Sequence, residues 1–111
     1  MDVDQYMQEL GIAARAASHV VAASPPAVRN RALLAMHDAL DGARAALAQA
    51  NAVDMEQGRA KALDAPLLDR LELTPARIDA MLEGLRQVAA LPDPVGSISE
   101  MRSMESGIQV G

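Results

Sequence analysis

A mainly helical chain is what this sequence predicts: about four helices, then a short β-hairpin or the start of a strand. Three observations carry that expectation. Apolar residues recur at three- and four-residue steps through most of the region before Pro92, the period of a helix with one buried stripe. Prolines sit where helices begin or end rather than within the stripes. Beyond Pro94 the apolar period falls to two, the mark of a half-buried strand. The chain is thereby divided into a helical segment, 1–96, and an incomplete β segment, 97–111.

The first helix is expected from about Asp4 to Ala23. Val3, Tyr6, Met7, Leu10, Ala13, Ala14, Ala17, Val20 and Val21 form its stripe, and Asp2 and Asp4 stand where carboxylates favour the helix dipole. Gly11 interrupts it at a cost of about 1 kcal/mol relative to alanine, which points to close packing or a bend. Ser24-Pro25-Pro26 follows, with Ser24 as N-cap and proline in the first turn of the next helix. That helix runs from Ala27 to about Asn51 through Leu33, Met36, Leu40, Ala43, Leu47 and Ala50, and Asp41-Gly42 bends or splits it. A short third piece is expected over Asp54–Arg59, a joint over Leu63–Pro66, and a buried turn or two over Leu67–Leu71. Thr74-Pro75 is the clearest helix start, an N-cap followed by proline at the first helical position. Its helix carries Ile78, Met81, Leu82, Leu85, Val88 and Ala89, and stops near Leu91 before Pro92 and Pro94. Ser97–Arg102 alternates as a strand does, Ser106-Gly107 reads as a turn, and Ile108-Gln109-Val110 opens a second strand.

Composition narrows the function. The 111 residues carry 10 Lys+Arg against 15 Asp+Glu, a formal net charge of −5, with Tyr6 the one aromatic and no cysteine. Such a chain has neither the basic stripe nor the stacking platforms of a nucleic-acid binder. It contains no apolar run long enough to span a bilayer, and its acidic opening is not a secretory signal, so the expected location is cytoplasmic. Disulfides, thiolate metal sites and a cysteine nucleophile are absent from these residues. Twenty-three alanines and no Phe or Trp allow only a thin core, since a buried Ala gives far less than the ~1.5–3 kcal/mol of a Leu or Phe.

No catalytic constellation is legible. His19 and His37 each stand alone on their helices, although Asp41 lies four residues after His37 and could pair with it. Asp38 and Asp41 share a helical face, as do Asp2 and Glu9, but no His or third carboxylate converges on either pair. Arg29-Asn30-Arg31 and Arg59-Ala60-Lys61 are basic spots without the glycine-rich loop that phosphate binding uses. These groups read as solvated faces and structural histidines, and the catalytic, cofactor-binding and metal-ligating sets in this chain are all expected to be empty.

One stretch is distinctive: Leu67-Leu68-Asp69-Arg70-Leu71-Glu72-Leu73-Thr74-Pro75-Ala76-Arg77-Ile78, then Leu85-Arg86-Gln87-Val88 and Leu91-Pro92-Asp93-Pro94-Val95-Gly96. With Gly11–Ser18, Ala50–Asp54 and Ser106-Gly107-Ile108 in the same order, it resembles the N-terminal region of the γ-glutamyl phosphate reductase family, within the aldehyde dehydrogenase superfamily. The resemblance implies an α/β enzyme of which these helices are one layer on the cofactor-binding sheet. It implies NADPH-dependent reduction of an acyl phosphate to an aldehyde in proline biosynthesis. In that chemistry a cysteine thiolate forms a thioester, which hydride then releases. The implied partners are the rest of the reductase chain, further copies in a homo-oligomer, and glutamate 5-kinase. The family's cysteine and cofactor loop lie further along than these residues reach. No catalytic role therefore transfers to any position, and Asn51, Asp69, Arg70, Thr74, Arg77 and Asp93 match the family as caps, joints and ion pairs. The competing reading is a stand-alone helical interaction module without enzymatic activity.

Overall fold

A computed structural model describes residues 2–111. Five helices are followed by a two-stranded antiparallel ribbon: α1 Val3–Ala23, α2 Pro26–Gly42, α3 Arg44–Ala60, α4 Ala65–Leu71, α5 Pro75–Ala90, β1 Arg102–Ser103 and β2 Gln109–Val110. The mainly α class is as expected. The chain divides into two compact units, one of Met1–Pro26 with Pro92–Gly111, the other Ala27–Leu91.

In the first unit, Asp2 is the N-cap of α1, its side chain accepting from the Gln5 N–H at 2.7 Å. Ser24, expected to start the second helix, instead closes the first. Its N–H donates to the Val21 carbonyl and its hydroxyl to that of Val20. The physical reason is geometric: α2 begins at Pro26, so Ser24 lies one position too early to cap it. After α5, the Asp93 carboxylate accepts from the Val95 N–H, and Ser97 N–H reaches back to the Pro94 carbonyl across Gly96 at φ +79°. A positive φ at the third residue of such a turn requires glycine or a strained substitute.

The strand expected over Ser97–Arg102 does not form as such, and pairing begins only at Arg102. Glu100 at φ +54° turns the backbone out of the extended region. Arg102 then pairs with Val110 and Ser103 with Gln109. The connection is held by Met104 N–H to the Ile108 carbonyl and Gly107 N–H to that of Met104, with Gly107 at φ +86°. This is a turn closed by a left-handed glycine, a common hairpin geometry.

The second unit depends on how its helices are broken. The helix expected over Ala27–Asn51 splits at Asp41-Gly42, one of the two outcomes the sequence allowed. Ala43 has φ −102°, ψ 13°, and its N–H bonds the Leu40 carbonyl before α3 starts. The break expected between Asn51 and Asp54 is absent, and α3 runs unbroken from Arg44 to Ala60. Asparagine is a poor helix residue because its side chain competes for nearby backbone. Here the Asn51 amide is occupied elsewhere: Nδ2 donates to the Leu71 carbonyl at 2.9 Å and Oδ1 accepts from the Leu73 N–H at 2.8 Å.

Helix α3 ends in a double backbone cap. Leu63 N–H bonds the Gly58 carbonyl, and Ala62 N–H that of Arg59, with Ala62 itself in the left-handed region at φ 56°. The chain doubles back so that α4 lies against α3. Gly58 makes this possible, since a Cβ there would stand 3.1–3.3 Å from methyls of Leu63, Leu68 and Leu71. The turn expected to be buried at Leu67–Leu71 is less so: Leu68 and Leu71 are half-buried on α3, while Leu67 remains 45% exposed. A seven-residue helix can turn only one side inward.

Asp64 caps α4 through Leu67 N–H, and Thr74 caps α5 through Arg77 N–H. Among the described residues, the buried apolar set is only Met55, Ile78 and Leu82. That is the thin core the alanine content implies.

Replacing Asn51 with alanine leaves Leu71 C=O and Leu73 N–H without their partners in a half-buried site. It is expected to destabilise Ala27–Leu91 by about 1–3 kcal/mol, read as a lower chemical-denaturation midpoint. Ala62→Gly should act oppositely, raising stability by about 1 kcal/mol because alanine resists the left-handed cap position that glycine adopts freely. A midpoint unchanged or lowered by Ala62→Gly contradicts the cap assignment.

Candidate functional site

Within Ala27–Leu91, the end of α2, the start of α3 and the middle of α5 enclose a concavity of about 390 Å³. It is lined by His37, Asp41, Arg44, Asp79, Leu82, Glu83 and Arg86. Its centre is Arg44, at the first position of α3. The guanidinium Nε meets Asp41 Oδ1 at 2.7 Å, and Nη2 meets Asp79 Oδ1 at 2.5 Å. One arginine thus ties the last turn of α2 and the face of α5 to α3. The fork geometry of guanidinium suits two carboxylates approaching from different sides.

The Arg44 hydrogen bond holds the Asp41 carboxyl below the usual carboxylate range, helped by the charges of Arg44, His37 and Arg86 and opposed by partial desolvation. The same two carboxylates raise Arg44 above its ordinary value. Both groups are at the surface, so the pairs fix geometry more than they add stability.

His37 is the one buried polar residue among those described, 8% exposed. Its Nδ1 lies 2.9 Å from Asp38 Oδ1. The pairing with Asp41 that the four-residue spacing allowed does not occur, because Arg44 engages Asp41. His19 is exposed on α1, and the Asp38–Asp41 face divides between His37 and Arg44. Asp2 and Glu9 are likewise separate, Asp2 capping α1 and Glu9 accepting from Gln5 Nε2. Arg29 and Asn30 are half-buried, while Arg31, Arg59 and Lys61 are exposed. No three His, Asp or Glu side chains among the described residues are grouped to hold a metal ion. No helix among them is long and apolar enough to cross a membrane.

Sequence reasoning missed Arg44, Asp79, Glu83 and Arg86 as neighbours. The Arg44–Asp79 pair joins positions 35 apart, and no local period signals such a contact. The concavity does not suit a polyanionic dinucleotide. Three carboxylates face it, and the Arg44 guanidinium is already taken up by two of them. A nucleotide phosphate there would meet net repulsion.

The distinctive stretch lies at the α3–α4–α5 junction. Arg77 Nη1 donates to the carbonyls of Asp69 and Glu72, and Nη2 to Asp69 Oδ1 at 2.9 Å. Thr74 caps α5, and Asn51 holds the backbone at Leu71 and Leu73. Asn51, Asp69, Thr74 and Arg77 therefore form one polar clasp around the α4–α5 connection, and Asp93 orders the turn beyond α5. These side chains shape the backbone of the connections they sit in.

No family model matches the chain. Its structure is similar to the crystal structure of γ-glutamyl phosphate reductase from Thermotoga maritima, with a TM-score of 0.74 and 31% sequence identity. The match covers 82% of this chain and 22% of that reductase. The resemblance carried by the sequence is thus one of fold as well, to part of an aldehyde-dehydrogenase-like reductase.

Acid should unlink the Arg44 cluster. A carboxyl whose folded value is depressed contributes stability that is present above its unfolded value, near ~3.9, and lost as pH falls through the folded value. The Tm difference between the chain and Asp41→Asn at neutral pH is therefore expected to shrink as pH falls below the ordinary carboxylate range. Thermal melts across that range check it; a difference constant with pH removes Asp41 from the cluster's stability.

Proposed function

We propose that this chain is the N-terminal helical part of a γ-glutamyl phosphate reductase. The reaction is NADPH-dependent reduction of L-glutamyl 5-phosphate to L-glutamate 5-semialdehyde, with release of phosphate, in proline biosynthesis. The observation that carries the reading is the coincidence of sequence and fold. The ordered stretch from Leu67 to Gly96 resembles that family, and the similar structure is a reductase of that name, at 31% identity.

The chain's own contribution is architectural. It has no cysteine, so the thiolate that attacks the acyl phosphate belongs to residues outside these 111. NADPH is likewise held elsewhere in this reading, since the acidic concavity at Arg44 does not fit it. What the chain supplies is a helical layer whose connections are locked by Asn51, Thr74 and Arg77. Such a layer supports the elements that orient cofactor and thioester, and small misplacements of those elements are costly to rate.

Activity tests this directly. The chain by itself is expected to give no NADPH oxidation with the acyl phosphate and no NADP reduction with the semialdehyde. Supplied in trans to the remaining portion of a related reductase, it should restore turnover, and the Arg77→Ala chain should restore at least tenfold less. Turnover by the chain alone, or no restoration by the intact chain, overturns the proposal.

A further inference from the structure

Asp41-Gly42 is the one Asp-Gly pair in the chain, and no Asn-Gly occurs. It stands at the corner between two helices: Gly42 is the last residue of α2, and Ala43 has already left helical values at ψ 13°. An aspartyl side chain followed by glycine can close on its own backbone. The Gly42 amide nitrogen bonds Asp41 Cγ, its proton and the carboxyl hydroxyl leave together as water, and a cyclic imide forms. Water then opens the ring at either carbonyl. Opening at Cγ restores aspartate; opening at the main-chain carbonyl leaves the backbone running through Cβ and Cγ, an isoaspartyl link.

Three conditions govern ring closure. The backbone at Asp41 must rotate, which a helix interior forbids and a fraying helix end permits. The attacking nitrogen must be unhindered, and at Gly42 nothing lies within 4 Å of where a Cβ would stand. The carboxyl must be free and protonated, because a carboxylate would have to expel oxide. Arg44 opposes this last condition. Its Nε holds Asp41 Oδ1 at 2.7 Å while Nη2 is anchored to Asp79 on α5, and the contact keeps the Asp41 carboxyl ionised below the usual carboxylate range. Asp38-Ala39, inside α2 and followed by a residue with a Cβ, meets neither of the first two conditions. We propose that Asp41-Gly42 is a site of spontaneous isoaspartyl modification, and that the Arg44 guanidinium is the latch that slows it. The modification undoes the corner on which it forms. The new carboxylate sits directly on Cα while the backbone gains a methylene, so the Arg44 contact is lost and α2 is untied from α3. The inference does not rest on the reductase reading, since every group in it belongs to this chain.

Prolonged incubation of the full chain at neutral pH tests this, followed by digestion and mass-spectrometric mapping of the peptide that spans Asp38 and Asp41. Fragmentation distinguishes the two linkages. Isoaspartate is expected to accumulate at Asp41 and not at Asp38. Arg44→Ala should speed its formation at least threefold, and Gly42→Ala should slow it at least tenfold. Arg77→Ala loosens the α4–α5 connection without touching Asp41. It should change the rate less than twofold, which separates loss of the latch from general loosening of the fold. No isoaspartate at Asp41, equal accumulation at Asp38, or a rate unchanged by Arg44→Ala overturns the proposal. Equal acceleration by Arg77→Ala overturns the latch.

Discussion

The Asn51 amide does for this fold what a hydrophobic core does in a larger domain. One side-chain amide, projecting from the middle of α3, pairs like a short length of strand with the backbone at Leu71 and Leu73. That fixes where α4 ends and α5 begins. Arg77 then gathers the carbonyls of Asp69 and Glu72 and the Asp69 carboxylate from the other side. With only Met55, Ile78 and Leu82 buried among the apolar residues, non-directional burial cannot select one helix arrangement over its neighbours. Directional hydrogen bonds can, because leaving any of these groups unpaired costs more than the bond contributes.

That division of labour explains what the family resemblance consists of. Within the stretch that looks most like a signature, from Asp69 to Arg77, the Thr74 and Arg77 side chains bind backbone and the Asp69 carboxylate holds Arg77 in place. They specify a connection. Similarity to a reductase is accordingly strong in shape and silent about mechanism within these residues. The Arg44 cluster follows the same logic: a guanidinium shared by Asp41 and Asp79 marks where three helices converge, and its carboxylates turn the concavity away from anionic ligands.

Helix α1 shows the opposite regime. Its cap is satisfied and its backbone is regular, but its apolar stripe faces outward along its whole length. A helix of this kind draws its stability from something packed against it rather than from propensity alone.

How much was legible follows from the range of the interactions involved. Periodicity and proline placement are local, and they determined the helical class, the Thr74-Pro75 start and the stop before Pro92, and they marked Asp41-Gly42 as a bend or a break. Where the reading failed, a distant or conformational term intervened. Asn51 looked like a helix end because its bonding to Leu71 and Leu73, 20 and 22 positions away, is invisible in its neighbourhood. Ser24 looked like a start because its hydroxyl's choice of the Val20 carbonyl depends on where Pro26 places the next turn. Ser97–Arg102 looked like a strand until Glu100 took a left-handed conformation. The Arg44–Asp79 pair and the burial of His37 were decided only when α3 and α5 met. Sequence by itself determined the elements, because helix and turn preferences act over a few residues. Tertiary structure decided which polar groups met, because contacts across tens of residues depend on the path of the chain between them.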